Sequence, residues 1–161
     1  MPETDYFLKI EGIESESQDK KHKGEIEVQS WSWGESNAGS HATGLGGGAG
    51  KVQMQDFTFA TKANKASPTL FLYCAKGEHI KKAVLTCRKQ GGEQQEYLKI
   101  TFTDCLVSSY QTGGSSGDVI PMEQISLNFA KIEFEYHEQK ADGTLGGAIT
   151  KFWNLKENAG G

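Results

Sequence analysis

The chain has 161 residues, with 17 basic against 21 acidic side chains and a formal net charge of −4. That length predicts one domain, 1–161, large enough to bury a core without disulfide or metal staples. The mild acidity argues against a nucleic-acid binder that works by neutralising phosphates, and no run of about 18 apolar residues is present to span a bilayer. Positions 1–19 carry acids where a signal peptide would have a basic start and an apolar stretch. The three cysteines, Cys74, Cys87 and Cys105, are odd in number, lack CxxC spacing and read as free thiols of a reducing compartment.

Residues 5–11 alternate Tyr6, Leu8 and Ile10 against Phe7, Lys9 and Glu11, a period of two that predicts a strand. Residues 12–24 are polar and charged and read as a connection. A second strand is predicted over 25–35. Its apolar side changes parity between Ile26 and Val28 and the pair Trp31 and Trp33, the pattern of a β-bulge or of a strand with two differently packed ends. The window 36–50 has no period and holds six of the chain's twenty glycines. Fully extended it spans at most about 50 Å, and structureless loops of this length are usually functional or disordered. A third strand is predicted over 51–61.

Ser67-Pro68 is the clearest helix start, with Ser67 as the cap and Gly77 as the stop. Residues 80–89 and 96–109 read as strands joined by Gln90-Gly91-Gly92. Residues 111–118 read as a Gly/Ser loop, and 125–138 as a long strand whose apolar parity shifts between Phe129 and Ile132, a second candidate bulge. Asp142-Gly143 predicts a turn before a last strand through Ile149, Phe152, Trp153 and Leu155. Seven or eight strands, one helix and no β–α alternation predict a mainly β fold: an antiparallel barrel or sandwich of two sheets with one flanking α-helix.

Several strings imitate chemical motifs. Gly44 to Ala49 fits G-x-G-x-x-A, but a strand pattern follows where the helix that faces a pyrophosphate must begin. Gly50-Lys51 lacks the P-loop's first Gly and its Ser/Thr. Gly113-x-Ser115-x-Gly117 matches a nucleophile elbow, which needs a strand-to-helix turn; the predicted helix lies upstream. His22, His41, His79 and His137 have no metal-ligand spacing. Cys74 beside His79 reads as a small core residue next to a helix-end charge. Glu25 and Glu27 read as a solvated edge, and Trp31 and Trp33 as core or interface packing. No catalytic residue, cofactor or metal site is predicted.

Trp31-Ser32-Trp33-Gly34, the run Gly46-Gly47-Gly48-Ala49-Gly50-Lys51-Val52, Ser67-Pro68, Gly77-x-His79, Arg88-Lys89-x-Gly91-Gly92 and Glu96-Tyr97-Leu98 carry a resemblance that continues through Leu106-Val107-Ser108-Ser109, Leu127-Asn128-Phe129-Ala130-Lys131, Gln139-Lys140-Ala141-Asp142-Gly143 and Trp153-Asn154-Leu155-Lys156. In order and spacing these segments resemble the haemolysin-coregulated protein (Hcp) family, the tube subunit of bacterial type VI secretion. The resemblance implies a non-enzymatic β-barrel that assembles as a homohexameric ring. Rings stack into a tube, which a contractile sheath fires from the cytoplasm. The implied partners are other copies of the chain, the sheath, a valine-glycine-repeat spike protein and effector proteins in the lumen. Neither nucleic-acid binding nor membrane insertion is implied, and the tube is itself secreted without a signal peptide. Ser32, with Ser30 as its companion by parity, is implied to face the lumen and its effectors. The loop 36–50, which includes Gly39, Gly44, Leu45, Gly46, Gly47 and Gly48, is implied to contact the neighbouring ring. The competing readings are a monomeric β-sandwich module for a ligand or protein, and a hydrolase resting on Ser115.

Overall fold

A computed structural model gives the structure of the chain and describes residues 4–38, 51–90 and 94–161. Among these residues lie eleven strands and one helix: β1 Thr4–Ile10, β2 Ile26–Val28, β3 Ser30–Ser32, β4 Glu35–Asn37, β5 Val52–Met54, β6 Phe57–Lys62, α1 Ser67–Lys76, β7 Ile80–Lys89, β8 Gln95–Gly113, β9 Met122–Gln139, β10 Leu145–Asn154 and β11 Ala159–Gly160. The strand count exceeds the expectation because two predicted strands are broken and because a short strand, β11, follows the last predicted one. The 25–35 run divides at Gln29 and again after Ser32, and the 51–61 run divides between Met54 and Phe57.

Every strand pairing is antiparallel. Leu8 of β1 faces Leu85 of β7, Leu85 faces Ile100 of β8, and Phe102 of β8 faces Ile132 of β9. Ile125 of β9 faces Phe59 of β6, which faces Trp31 of β3. One residue before β3, β2 returns to β1, with Ile26 opposite Leu8. The pairings thus come round on themselves through residues 26–32. This is the expected antiparallel barrel or sandwich, with α1 on its flank. β4 and β5 form a separate two-stranded ribbon. β10 adds to the outer half of β9, and β11 adds to the end of β10.

The core holds Leu8, Phe57, Phe59, Leu70, Leu85, Ile100, Phe102, Ile125 and Leu127, all essentially without solvent contact. Phe57, Phe102 and Phe129 pack in sequence as tilted ring pairs, with centroids 4.6 and 4.9 Å apart. Each such side chain contributes about 1.5–3 kcal/mol through burial.

The parity change between Phe129 and Ile132 is real, but no extra residue causes it. Cys105 still faces Phe129 and Thr103 still faces Lys131. Between them Asp104 takes a positive φ of 56°, which turns both strands without shifting their register. The register-shifting bulge lies elsewhere, between Val107 and Ser109.

Ser67 does not cap the helix. The N-cap position is Ala66, which has no side chain to accept a bond, and Pro68 sits in the first turn. The Ser67 hydroxyl instead donates to Glu123 Oε1 at 2.6 Å and accepts from the Asn64 N–H at 2.9 Å. Gly77 ends the helix as expected, at φ 66°, with its N–H on the Tyr73 carbonyl.

The connection 12–24 does more than link β1 to β2. It folds over the outer side of β1 and covers Phe7. The His22 ring stacks on Phe7 at 4.4 Å, and the Arg88 guanidinium lies 4.8 Å from the same ring. Within the connection Ser15, Ser17 and His22 are themselves buried. Glu25, read from sequence as edge solvation, lies 3.0 Å from His22 Nδ1.

Candidate interaction surfaces

The register places a particular surface on the outside of β3, β6, β9 and β8. In one row across these strands stand Ser30, Ala60, Gln124 and Gln111; in the next stand Ser32, Thr58, Ser126 and Ser109. Directly opposite residues of antiparallel strands project to the same side, so the eight share a face. None is charged. Ser30, Ser32, Gln111 and Gln124 are exposed, and Ser126 lies buried beneath the Ser108 and Ser109 hydroxyls, both bonded to it. The alternate residues, Trp31, Phe59, Ile125 and Tyr110, form the row between them and point into the core. Strand alternation therefore separates an aromatic interior from a neutral exterior of hydroxyl and amide groups. Asp56 bounds the face on one side, accepting from Ser108 and from the Asn128 amide.

Ser30 and Ser32 thus sit where sequence parity put them, opposite the two tryptophans. Thr58, Ala60, Gln124, Ser126, Ser109 and Gln111 complete the face. Sequence reasoning missed them because pairing register, which no local pattern in the chain encodes, brings four strands into line. The loop residues Gly39, Gly44, Leu45, Gly46, Gly47 and Gly48 lie outside the described residues.

A second surface is apolar. The core side of β9 and β10 continues beyond the barrel as Phe134, Tyr136 and Ile149, with Tyr136 directly opposite Ile149. Next to it the β4–β5 ribbon, Trp33 and Trp153 frame a groove of about 770 Å³. The indole N–H groups of Trp33 and Trp153 are buried there without a hydrogen-bond partner. Further exposed apolar side chains are Phe71 and Leu72 of α1 and, separately, Val119, Ile120 and Met122 at the start of β9 and just before it. Phe71 reaches Tyr110 at 6.4 Å, which joins the helix to this end of the β8–β9 pair.

The tempting chemical motifs assemble into nothing catalytic among the described residues. Ser115 lies between two strands, β8 and β9, and its hydroxyl donates to Asp118 at 3.0 Å on an exposed loop. The element after the glycine-rich run is the strand β5, not a helix. Among the described residues no group of three or more His, Cys, Asp or Glu is close enough to hold a metal ion. His79 pairs with Asp104 at 3.1 Å rather than with a thiol. Burial pushes the Cys87 and Cys105 thiols up to about 12, so neither is a nucleophile at neutral pH. Cys74 is half-buried on α1. No helix among the described residues is long and apolar enough to cross a membrane.

Fold and surfaces define an antiparallel β-domain whose prominent features are faces for contact. The family model described as "Type VI secretion system effector, Hcp" matches residues 7–136. The chain is 49% identical over 156 residues to the protein Hcp1 of Pseudomonas aeruginosa, covering 96% of each chain. Its fold matches the crystal structure of Hcp1 from Salmonella typhimurium with a TM-score of 0.81, at 40% identity over 99% of both chains. It matches a further type six secretion system protein at 0.93 and 30% identity, over 99% of this chain and 100% of that one. The chain belongs to the Hcp family of type VI secretion proteins.

Proposed function

We propose that the chain is a structural subunit of a type VI secretion tube: six copies close into a ring, rings stack, and effector proteins travel in the lumen. The observation that carries this reading is the neutral face centred on Ser32 and Gln124. A wall that must let different proteins pass works best without fixed charge, because strong ion pairs or like-charge repulsion would retain some cargo and exclude the rest. Ser30 and Ser32 are the lumen contacts in this reading, and Thr58, Gln111 and Gln124 extend them. Exposed apolar side chains on different parts of the molecule, Phe71 and Leu72 of α1 and Phe134, Tyr136 and Ile149 of β9 and β10, suit a head-to-tail association, which closes into a ring when the rotation between copies allows.

The segment 36–50, with Gly39 and 44–48 in it, is the contact between stacked rings. Ordering so many glycines costs entropy, so stacking is weaker than ring closure and awaits nucleation. The tube forms in the cytoplasm inside a contractile sheath beneath a valine-glycine-repeat spike protein, and leaves with its cargo without a signal peptide. It performs no chemistry on its passengers. Mass by light scattering, with negative-stain images of the same sample, tests the reading. Rings of about six times the 17.6 kDa chain mass are expected; solitary molecules at high concentration would refute it and leave a monomeric binding module.

A further inference from the structure

His22 sits between two carboxylates. Its ring lies flat on Phe7 of β1, with centroids 4.4 Å apart and planes 8° from parallel, and only 6% of the residue is exposed. Nδ1 lies 3.0 and 3.1 Å from the two carboxylate oxygens of Glu25. Nε2 lies 2.5 Å from Oε1 of Glu96 on β8. A neutral imidazole has one N–H and one lone pair, so it can donate to only one of these carboxylates; an imidazolium donates to both. A neutral ring held here would set its lone pair against a carboxylate oxygen where little water can screen the two. The other charges around the ring are matched. Arg88 of β7 lies 4.8 Å from the same Phe7 ring, its charge balanced by Asp5 and Asp19. Asp19 also accepts the His22 backbone N–H through its carbonyl at 3.2 Å. Lys99 of β8 pairs with Glu96 at 3.7 Å. Lys21 and Lys23, on either side of His22 in the chain, are exposed. Among the described residues Glu25 has no lysine or arginine partner, so its cation is His22.

We propose that His22 is a pH-sensitive latch: as an imidazolium it ties the connection 12–24 to β8 through Glu96, and on losing one proton it releases Glu96. The geometry decides which contact opens. Glu25 stands three residues along the same segment and meets Nδ1 with both oxygens, so the remaining proton stays on Nδ1. Glu96 is 25% exposed and already has Lys99 beside it, so it can turn to that lysine and to water. The contact that opens is the long-range one, between residues 74 positions apart. The latch is therefore closed when the ring carries both protons and opens as pH rises. Asp19 keeps its hold on Arg88 throughout. The segment around His22 then loosens over Phe7 without leaving β1 altogether.

The test uses the full chain with His41→Gln, His79→Gln and His137→Gln, which leaves His22 as its one histidine. Solid-state nitrogen-15 NMR of this histidine-labelled protein reads the two ring nitrogens separately, whatever the size of the assembly. At neutral pH an ordinary histidine, with its value of about 6.5, is mostly uncharged; here both nitrogens should be protonated. At alkaline pH only Nε2 should lose its proton. Hydrogen exchange followed by mass spectrometry, corrected for its intrinsic pH dependence, should then quicken about tenfold or more over residues 20–25, the scale of one charge-assisted hydrogen bond. Glu96→Gln offers an amide N–H to an unprotonated Nε2, so that variant should hold the segment closed at both pH values and show a singly protonated ring at neutral pH. A parent ring with one bare nitrogen at neutral pH overturns the proposal. So does alkaline exchange that quickens equally in the parent and in Glu96→Gln. If Glu96→Gln fails to fold, the ring spectrum of the parent decides alone.

Discussion

Arg88 and Asp19 form a two-pronged ion pair: guanidinium Nη1 donates to Oδ1 at 3.0 Å and Nη2 to Oδ2 at 2.6 Å. Arg88 is almost completely buried and reaches Asp5 at 2.9 Å as well. It ties the 12–24 connection to β7 and β1. The side-chain hydrogen bond from Arg88 holds the Asp19 carboxyl well below the usual carboxylate range, at about 2. A carboxyl depressed by folding contributes stability that is full above its unfolded value near 4 and disappears as pH falls through its folded value near 2. The contribution is on the order of 2 kcal/mol. Asp19→Asn should therefore lower stability by about that much at neutral pH and flatten the acid limb between pH 4 and 2. Urea unfolding at several pH values measures both.

His137 should give the opposite slope. Its ring lies 3.1 Å from the Gly146 carbonyl and 3.0 Å from Glu135, and both contacts raise its proton affinity, the carbonyl more. A group raised in the folded state stabilises most at low pH and loses that contribution as pH rises through its folded value. The β9–β10 hairpin should loosen as pH climbs above the ordinary histidine value of about 6.5, visible as faster amide exchange near Gly146. His137→Gln should abolish that dependence.

Gly160 admits no side chain. A Cβ there would stand 2.1 Å from the Phe152 carbonyl oxygen and 2.8 Å from the Trp153 ring. Gly160→Ala should cost about 1–3 kcal/mol, the usual range for overpacking, by lifting β11 from the edge of β10. The check is a lower melting temperature with new protease sensitivity after Asn154.

Thiol chemistry probes the core directly. Cys87 and Cys105 are buried and their thiols displaced upward, whereas Cys74 on α1 is half-buried. The sequence reading placed Cys74 in the core; it does pack against the core, on the same helix stripe as Ala66 and Leu70, but in the last turn of α1 it stays partly open. A maleimide at neutral pH should modify one thiol per folded chain, at Cys74, and three after unfolding.

The strands that alternate cleanly, such as Leu8 and Ile10, were legible from the sequence, and so was the Asp142-Gly143 turn. Gly143 takes φ 88° there, and Asp142 accepts from the Thr144 N–H at 3.0 Å. Both depend on neighbours within a few residues. What escaped depends on distant ones. Ser67 looked like a helix cap because its buried partner, Glu123, lies 56 positions away. The cover that the connection 12–24 forms over β1 was not legible because the partners of Asp19 and His22, Arg88 and Glu96, come from other strands. The neutral face was half visible in Ser30 and Ser32; Gln124 and Gln111 joined it through register alone.

The hollow centre that the proposed tube requires can be located by marking Ser32. A Ser32→Cys variant in a Cys74→Ala background, coupled to a maleimide-bearing gold cluster, would be imaged by negative-stain electron microscopy. Gold at the middle of six-membered rings is the predicted result. Gold around the rim of the rings, or on particles that never form rings, would contradict the account.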